Sequence, residues 1–316
     1  MLTACQSRFL DHSRQQPSTS IDPPKDTYVF SSAVWLSDEI IVFALDDSDR
    51  TMPNPFLIYN MGSQTWERLN VSSNPNCQAA GFGFLERLPN GNVGYVNTCI
   101  ANGLETRTID EINISSGQIQ TLLDSGLIRV AGKFAFSPDM TELVQEDMIS
   151  RFLSNKVFYR KDDRLVQIAP NFLRAMYPDW SPHERQIAFW GTESYPGGNP
   201  KDFTTLPEIL DLSSYPWDLF ISTPEGDNIV KVFSSVADPM LIRWSPTERK
   251  IAFSGIIDDA PGVFILDLKT SEVTRVWSRS ADFDWSPAGT EIIVLNSEKD
   301  KDGNIKKQDI NILELR

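Results

Sequence analysis

Asp284-Trp285-Ser286-Pro287-Ala288-Gly289-Thr290-Glu291-Ile292-Ile293-Val294 sets an aromatic residue, a Ser-Pro step, a short polar turn and an apolar run in that order. Proline presets the first central φ of a turn, serine bonds to nearby backbone, and apolar runs on either side supply two strands. The stretch is therefore a β-hairpin written in residues. It recurs as Arg243-Trp244-Ser245-Pro246, as Asp179-Trp180-Ser181-Pro182 and, more weakly, as Ala135-Phe136-Ser137-Pro138, each followed by polar residues and an apolar run.

Repeats of about 40–50 residues mark solenoids and propellers. Taking Trp35, Phe84, Phe136, Trp180, Trp244 and Trp285 as the aromatic of each unit gives spacings of 49, 52, 44, 64 and 41 residues. Each full interval holds four apolar runs, so the unit is a four-stranded blade. The last unit has only Asp282–Trp285, Glu291–Leu295 and Ile310–Leu315 before the chain ends. Thr27–Phe30, by contrast, precedes the first inner strand as an outer strand with no blade of its own. Placing it beside Ile310–Leu315 completes the last blade and closes a ring, which is how propellers remove the open ladder between first and last blade. The expected fold is all-β, a six-bladed β-propeller over residues 27–316, with residues 1–26 outside it.

Composition narrows the function classes. The chain has 316 residues and 41% hydrophobic content, enough for one large repeat domain, and its longest apolar runs are too short to span a bilayer. With Lys+Arg 29 against Asp+Glu 43 the net charge is −14, which argues against nucleic acid and favours a protein partner with a basic or cationic surface. A monomer is expected. Much of the charge falls on the connections between second and third strands, which share one face of a propeller. Residues 44–55 carry −2 through Asp46, Asp47, Asp49 and Arg50, residues 144–155 −1, residues 191–216 −3, and residues 254–262 −2 through Asp258 and Asp259. That acidic face is one expected partner site, against the plainer reading of unconnected solvated loops. The 191–216 insertion adds Tyr195, Phe203 and Tyr215, apolar for a surface loop, which either fold over the channel mouth or meet a partner.

Leu2-Thr3-Ala4-Cys5 resembles a bacterial lipobox, the site at which a signal peptide is cut and the cysteine lipidated. The resemblance covers four residues and implies an extracytoplasmic protein, in the periplasm or on the outer cell surface, touching the membrane only through a lipid on Cys5. The alternative is a chance match. Residues 6–26 are polar and read as a flexible tether with a root-mean-square reach of roughly 25 Å. Cys77 and Cys99 then remain as an even pair, either one disulfide or two buried thiols.

The Trp-Ser-Pro hairpins resemble the repeat of TolB-type propellers, also found in the non-catalytic propeller of prolyl oligopeptidase-like enzymes. The resemblance runs over about 290 residues, close at Trp180, Trp244 and Trp285 and degenerate at Trp35 and Phe84. It implies a six- or seven-bladed, commonly extracytoplasmic propeller, and no reaction.

The residues speak weakly for catalysis. Gly-x-Ser-x-Gly is absent, and the two histidines sit in the tether (His12) and in a hairpin turn (His183). Asp300-Lys301-Asp302-Gly303-Asn304 lacks the spaced later ligands of a calcium loop and reads as a turn. No metal or cofactor is expected. The leading expectation is a non-catalytic binding or scaffold propeller. The alternative is a carboxylate- or metal-dependent enzyme acting on glycans or phosphate esters at the channel. One further constellation follows from register: Asp179, Arg243 and Asp284 each precede an inner-strand tryptophan, so they share one position on successive blades. There they line the channel as an ion-pair chain or as ligand-orienting groups.

Overall fold

The structure, a computed structural model, describes residues 9–12, 17–24, 29–45, 56–71, 79–101, 104–124, 130–148, 155–193, 217–299 and 305–315. They form six antiparallel sheets arranged as the blades of a β-propeller. Blade one is β3 (Phe30–Ser37), β4 (Ile40–Leu45), β5 (Phe56–Asn60) and β6 (Thr65–Arg68). Blades two and three are β7 (Ala79–Arg87) to β10 (Ile119–Asp124) and β11 (Val130–Phe136) to β14 (Arg164–Gln167). Blade four runs from β15 (Arg174–Trp180) to β18 (Val230–Val236), and blade five from β19 (Ile242–Trp244) to β22 (Glu272–Trp277). Blade six is β23 (Asp282–Trp285), β24 (Glu291–Lys299) and β25 (Ile305–Glu314), with one strand supplied from the N-terminus.

The reason for a ring lies in how the strands divide their side chains. Successive residues point to opposite faces of a strand, and here both faces are apolar. On β3, Val34 packs with Leu85, Tyr95 and Ile112 of blade two, whereas Ala33 and Trp35 pack with Ile293 and Ile310 of blade six. The same division repeats around the molecule, giving one apolar cluster at each of the six junctions between neighbouring blades. A blade buried on both faces has no stable existence alone, so closure of the ring and formation of the core are one event.

The closing strand is not where the sequence placed it. β2 (Thr19–Ile21) pairs antiparallel with β25, Ile21 opposite Ile310, and Ile21 is 2% exposed in the junction between blades six and one. Phe30 instead begins β3, and Thr27 and Tyr28 lie outside the described residues. Phe30 still meets the last strand, but through a side chain. Its N–H donates to Gln308 Oε1 (2.6 Å), while Gln308 Nε2 donates to its carbonyl (2.7 Å). The segment read as a tether carries a second strand, β1 (Phe9–Asp11), laid parallel on β22 at the outer edge of blade five. Asp11 pairs with Arg275 at 3.6 Å, and the His12 N–H donates to the Arg275 carbonyl. The N-terminal segment is thus a strap across the edges of blades five and six. It is fastened beyond β2 by Trp66, whose indole donates to the Asp22 carbonyl and stacks on Phe30. Short edge strands held by backbone bonds need little apolar patterning, which is why composition alone reads this segment as free chain.

Candidate functional site at the axial mouth

Each Ser-Pro turn is held the same way. The N–H of Ser137, Ser181, Ser245 and Ser286 donates to the carbonyl five residues on, at 2.9 Å in every case. Leu88 makes the equivalent bond to Asn92. Register agrees: Arg87 pairs with Val93 as Trp180 pairs with Ile187, Trp244 with Ile251 and Trp285 with Ile292. Blade two therefore carries Arg87-Leu88-Pro89 in place of Trp-Ser-Pro, and Phe84 does not occupy its aromatic position. The residue before the aromatic position is then Val34, Glu86, Ala135, Asp179, Arg243 and Asp284 in ring order. Sequence reading found three of the four charged members. Glu86 was hidden because blade two has no aromatic there, although the Pro-Asn-Gly turn after Leu88 would have set the register.

These side chains meet on the axis. Glu86 is clasped by Lys133 and by Arg243, whose Nη2 also donates to the Leu85 carbonyl at 2.8 Å. Lys133, fully buried, also lies 3.3 Å from Asp179 Oδ1. Arg243 stands 3.9 Å from Asp179 Oδ1 and, through Nε, 3.5 Å from Asp284 Oδ1. The Asp–Arg–Asp chain anticipated from register is present, enlarged by Glu86 and Lys133. The other oxygens of the aspartates tie blades together. Asp179 Oδ2 accepts the Trp244 N–H (2.7 Å), Asp284 Oδ2 the Trp35 N–H (2.8 Å), and Asp282 Oδ2 the Ala33 N–H (3.2 Å).

Burial and charge split the acidities. Burial alone would raise the Glu86 pKa, but Arg243 and Lys133 outweigh it and hold it below the usual carboxylate range. Asp179 is pushed up to about 6, by burial first, with Lys133 and Arg243 pulling down against it and Glu86 adding to the rise. Burial raises Asp284 as well, and takes Asp282 to about 6.

In front of this ring lies a cavity of about 180 Å³. Pro138, Pro182 and Pro246 from three Ser-Pro turns and Pro89 from the Leu88-Pro89 turn of blade two form its collar, Phe136, Trp180 and Trp244 its aromatic wall, and Glu86, Arg87, Asp179, Arg243 and Asp284 its charged lining. It opens on the face of the Ser-Pro turns. The connections between second and third strands leave the other end of each second strand, so the acidic loops occupy the opposite face. Of those loop residues, Asp258 and Asp259 are exposed at the tip of the β20 (Lys250–Ile257)–β21 (Ala260–Asp267) hairpin, both at positive φ in a two-residue turn. Asp46, Asp47, Asp49, Tyr195, Phe203 and Tyr215 lie outside the described residues, as do Cys5, Cys77 and residues 300–304. Cys99, on β8 (Val93–Ala101), is disulfide-bonded. His183 is exposed on the turn whose Pro182 joins the collar.

No protein-family model matches the sequence, and neither does any curated protein. Solved structures match the fold. A putative TolB from Agrobacterium tumefaciens superposes with a TM-score of 0.54 at 13% identity, covering 82% of this chain and 89% of that one. TolB from Acinetobacter baumannii gives 0.51 at 13%, covering 80% of this chain, which spans only 58% of that protein's length. An oligogalacturonate lyase solved in complex with manganese gives 0.54 at 10%, covering 96% and 95%. The six-bladed β-propeller fold is thus shared with TolB structures and with an oligogalacturonate lyase.

Proposed function

We propose that the chain is a non-catalytic binding propeller working outside the cytoplasm, held to a membrane through Cys5, that engages a basic protein partner at its axial mouth. The observation that carries this reading is the commitment of the axial charges to architecture. Asp179 and Asp284 each bind the inner-strand N–H of the next blade, and Glu86 is clasped by two cations. What faces outward is a small aromatic and proline-lined mouth, suited to docking. The net charge of −14 favours a basic partner by long-range attraction. The disulfide at Cys99 supports an oxidising compartment.

The test is capture from envelope extracts by the immobilised chain, comparing wild type, Pro182→Asp at the collar, and Asp258→Asn with Asp259→Asn on the opposite face. The reading expects a partner lost with the collar variant and weakened by salt. A partner that ignores salt and both variants would refute it; dependence on Asp258 and Asp259 alone would move the site to the acidic loops.

A second reading rests on the acidity split between Glu86 and Asp179, an arrangement that suits paired acid and base carboxylates. On that reading the chain is an enzyme acting on glycans or phosphate esters. Turnover of either substrate class that disappears in Asp179→Asn would replace the binding reading.

A further inference from the structure

Five blades set an aromatic ring just after the axial residue, Trp35, Phe136, Trp180, Trp244 and Trp285, and blade two sets Arg87 there. At that position Trp285 ties its blade to the preceding one with a single donor. Its indole N–H donates to the Arg243 carbonyl of blade five at 3.2 Å. Arg87 does the same toward blade one, its Nη1 donating to the Trp35 carbonyl at 3.1 Å. A tryptophan would serve for such a contact. The arginine adds a charge and a second edge of donors that the contact leaves unused.

That edge is open. Nε–H and the adjacent Nη2–H form the parallel pair on the side of the guanidinium away from Nη1. Neither donates to any described residue, and Arg87 makes no ion pair among them. The side chain is only half-buried, so these donors, unlike Arg243 Nε, are not sealed from solvent. Arg87 lines the axial cavity together with Phe136, Trp180 and Trp244. Its guanidinium leans toward the axis. It reaches the Trp35 backbone, and the rise that burial imposes on the Asp284 carboxyl is moderated first by Arg243 and then by Arg87. The other charges of the lining are committed. Glu86 is clasped by Lys133 and Arg243, and Asp179 and Asp284 each lie beside Arg243 while accepting an inner-strand N–H. Among the described residues, Arg87 is the charged member of the lining without such a partner.

Resting on the binding reading above, we infer that Arg87 is a recognition residue that takes one side-chain carboxylate of the partner on its Nε–Nη2 edge at the axial mouth. Two parallel donors match the two oxygens of a carboxylate, and such charge-assisted pairs are strong and directional. An ammonium group meets a like charge there. A carboxamide brings one oxygen to two donors and no charge. The methylene stem of an acidic side chain finds apolar surface on the aromatic wall and the proline collar. At about 180 Å³ the cavity is smaller than pockets that engulf a whole ligand, so it suits a side chain projecting from a surface seated on that collar. The net charge of −14 draws a basic surface from a distance, and Arg87 fixes its register by requiring one acid within it.

Four N-acetylated peptides test this by isothermal titration calorimetry against the full chain. Three are amidated, Lys-Gly-Xaa-Gly-Lys with glutamate, glutamine or lysine at the centre, the flanking lysines standing for the basic surface. The fourth, Lys-Gly-Gly-Lys-Gly, keeps a free C-terminal carboxylate. The glutamate peptide should bind at least about tenfold more tightly than the other three, although its lower positive charge weakens long-range attraction to this chain. Arg87→Trp, which restores the residue of the repeat, should abolish that preference, as should Arg87→Gln. Arg87→Lys, which keeps the charge without the fork, should retain only part of it. The melting transition of each variant is compared with wild type, and either neutral variant with an unchanged transition suffices. Equal binding of the glutamate and glutamine peptides, saturation by none, or a preference that survives in a folded neutral variant overturns the inference. Tighter binding of the free C-terminus, or displacement of the glutamate peptide by glucuronate at lower concentration than by N-acetylglutamate α-amide, would assign Arg87 to a chain end or an acidic glycan and overturn the side-chain assignment. A partner captured through the collar, combined with no glutamate preference, refutes this inference and leaves the binding reading standing.

Discussion

Replacing Glu86 by glutamine should destabilise the ring far more than one neutralised charge on a surface would. Glu86 joins blade two to Lys133 of blade three and to Arg243 of blade five, across the axis rather than along it. Both cations are almost wholly buried, their side chains 1% and 5% exposed, and among the described residues Lys133 keeps Asp179 as its carboxylate partner once Glu86 is neutral. Removing one member of a buried ion pair costs about 3–5 kcal/mol, because the other is left as an uncompensated charge. Unfolding entropy of roughly 2.1 cal/mol/K per residue gives about 0.66 kcal/mol/K for a chain of this length, so the melting temperature should fall by about 5–8 °C. Thermal unfolding followed by circular dichroism at pH 7 measures it, with Lys161→Gln as a control. Lys161 also pairs with a buried carboxylate, Glu142, but is itself half-exposed, so solvent screens its charge and the transition should hardly move. A fall of under about 1 °C for Glu86→Gln would show that the axial charges are solvated, and the account of them as architecture would fail.

Deleting residues 1–12 removes only β1 and should leave the melting transition nearly unchanged, whereas deleting residues 1–24 also removes β2, opens the edge of β25 and should give aggregation by light scattering. Asp282 has a folded pKa of about 6 against an ordinary 3.8, so the folded state holds the extra proton between those values. Its contribution to stability is therefore greatest below about pH 4 and is lost as pH rises through 6; Asp282→Asn should raise the melting temperature more at pH 7.5 than at pH 5. Gly117 has φ of +67°, and a Cβ there would lie 2.3 Å from the Asn70 carbonyl of the neighbouring blade's last connection, so Gly117→Ala should cost at least about 1–3 kcal/mol in chemical denaturation.

The architecture was legible because the Ser-Pro turn advertises itself. Four copies carry the serine and proline, and counting from them places Asp179, Arg243 and Asp284 at one structural position. Glu86 was lost for a local reason: blade two fills the aromatic position with Arg87, and counting from Phe84 put the register three residues early. Lys133 escaped notice because it sits two residues before Ala135 on an inner strand, where a lone lysine looks like a misplaced surface residue until its two carboxylates are seen. The strap was missed for a different reason. Strands of three residues at a sheet edge are specified by backbone bonds, and only Ile21 of β2 is buried, so no periodicity betrays them. The acidic loops drew attention through composition, while the cavity formed on the other face from the repeat's own prolines and tryptophans.

The pairing of Ile21 with Ile310 has a temporal meaning beyond its contribution to the core. Residues 19–21 cannot take their places until residues 310–312 have been made. Every ring finished before that moment lacks a strand, with the inner surface of its sixth junction open. Without residues 310–312 the β2 strand has no edge to pair with, and Ile21 loses its place in the junction between blades six and one.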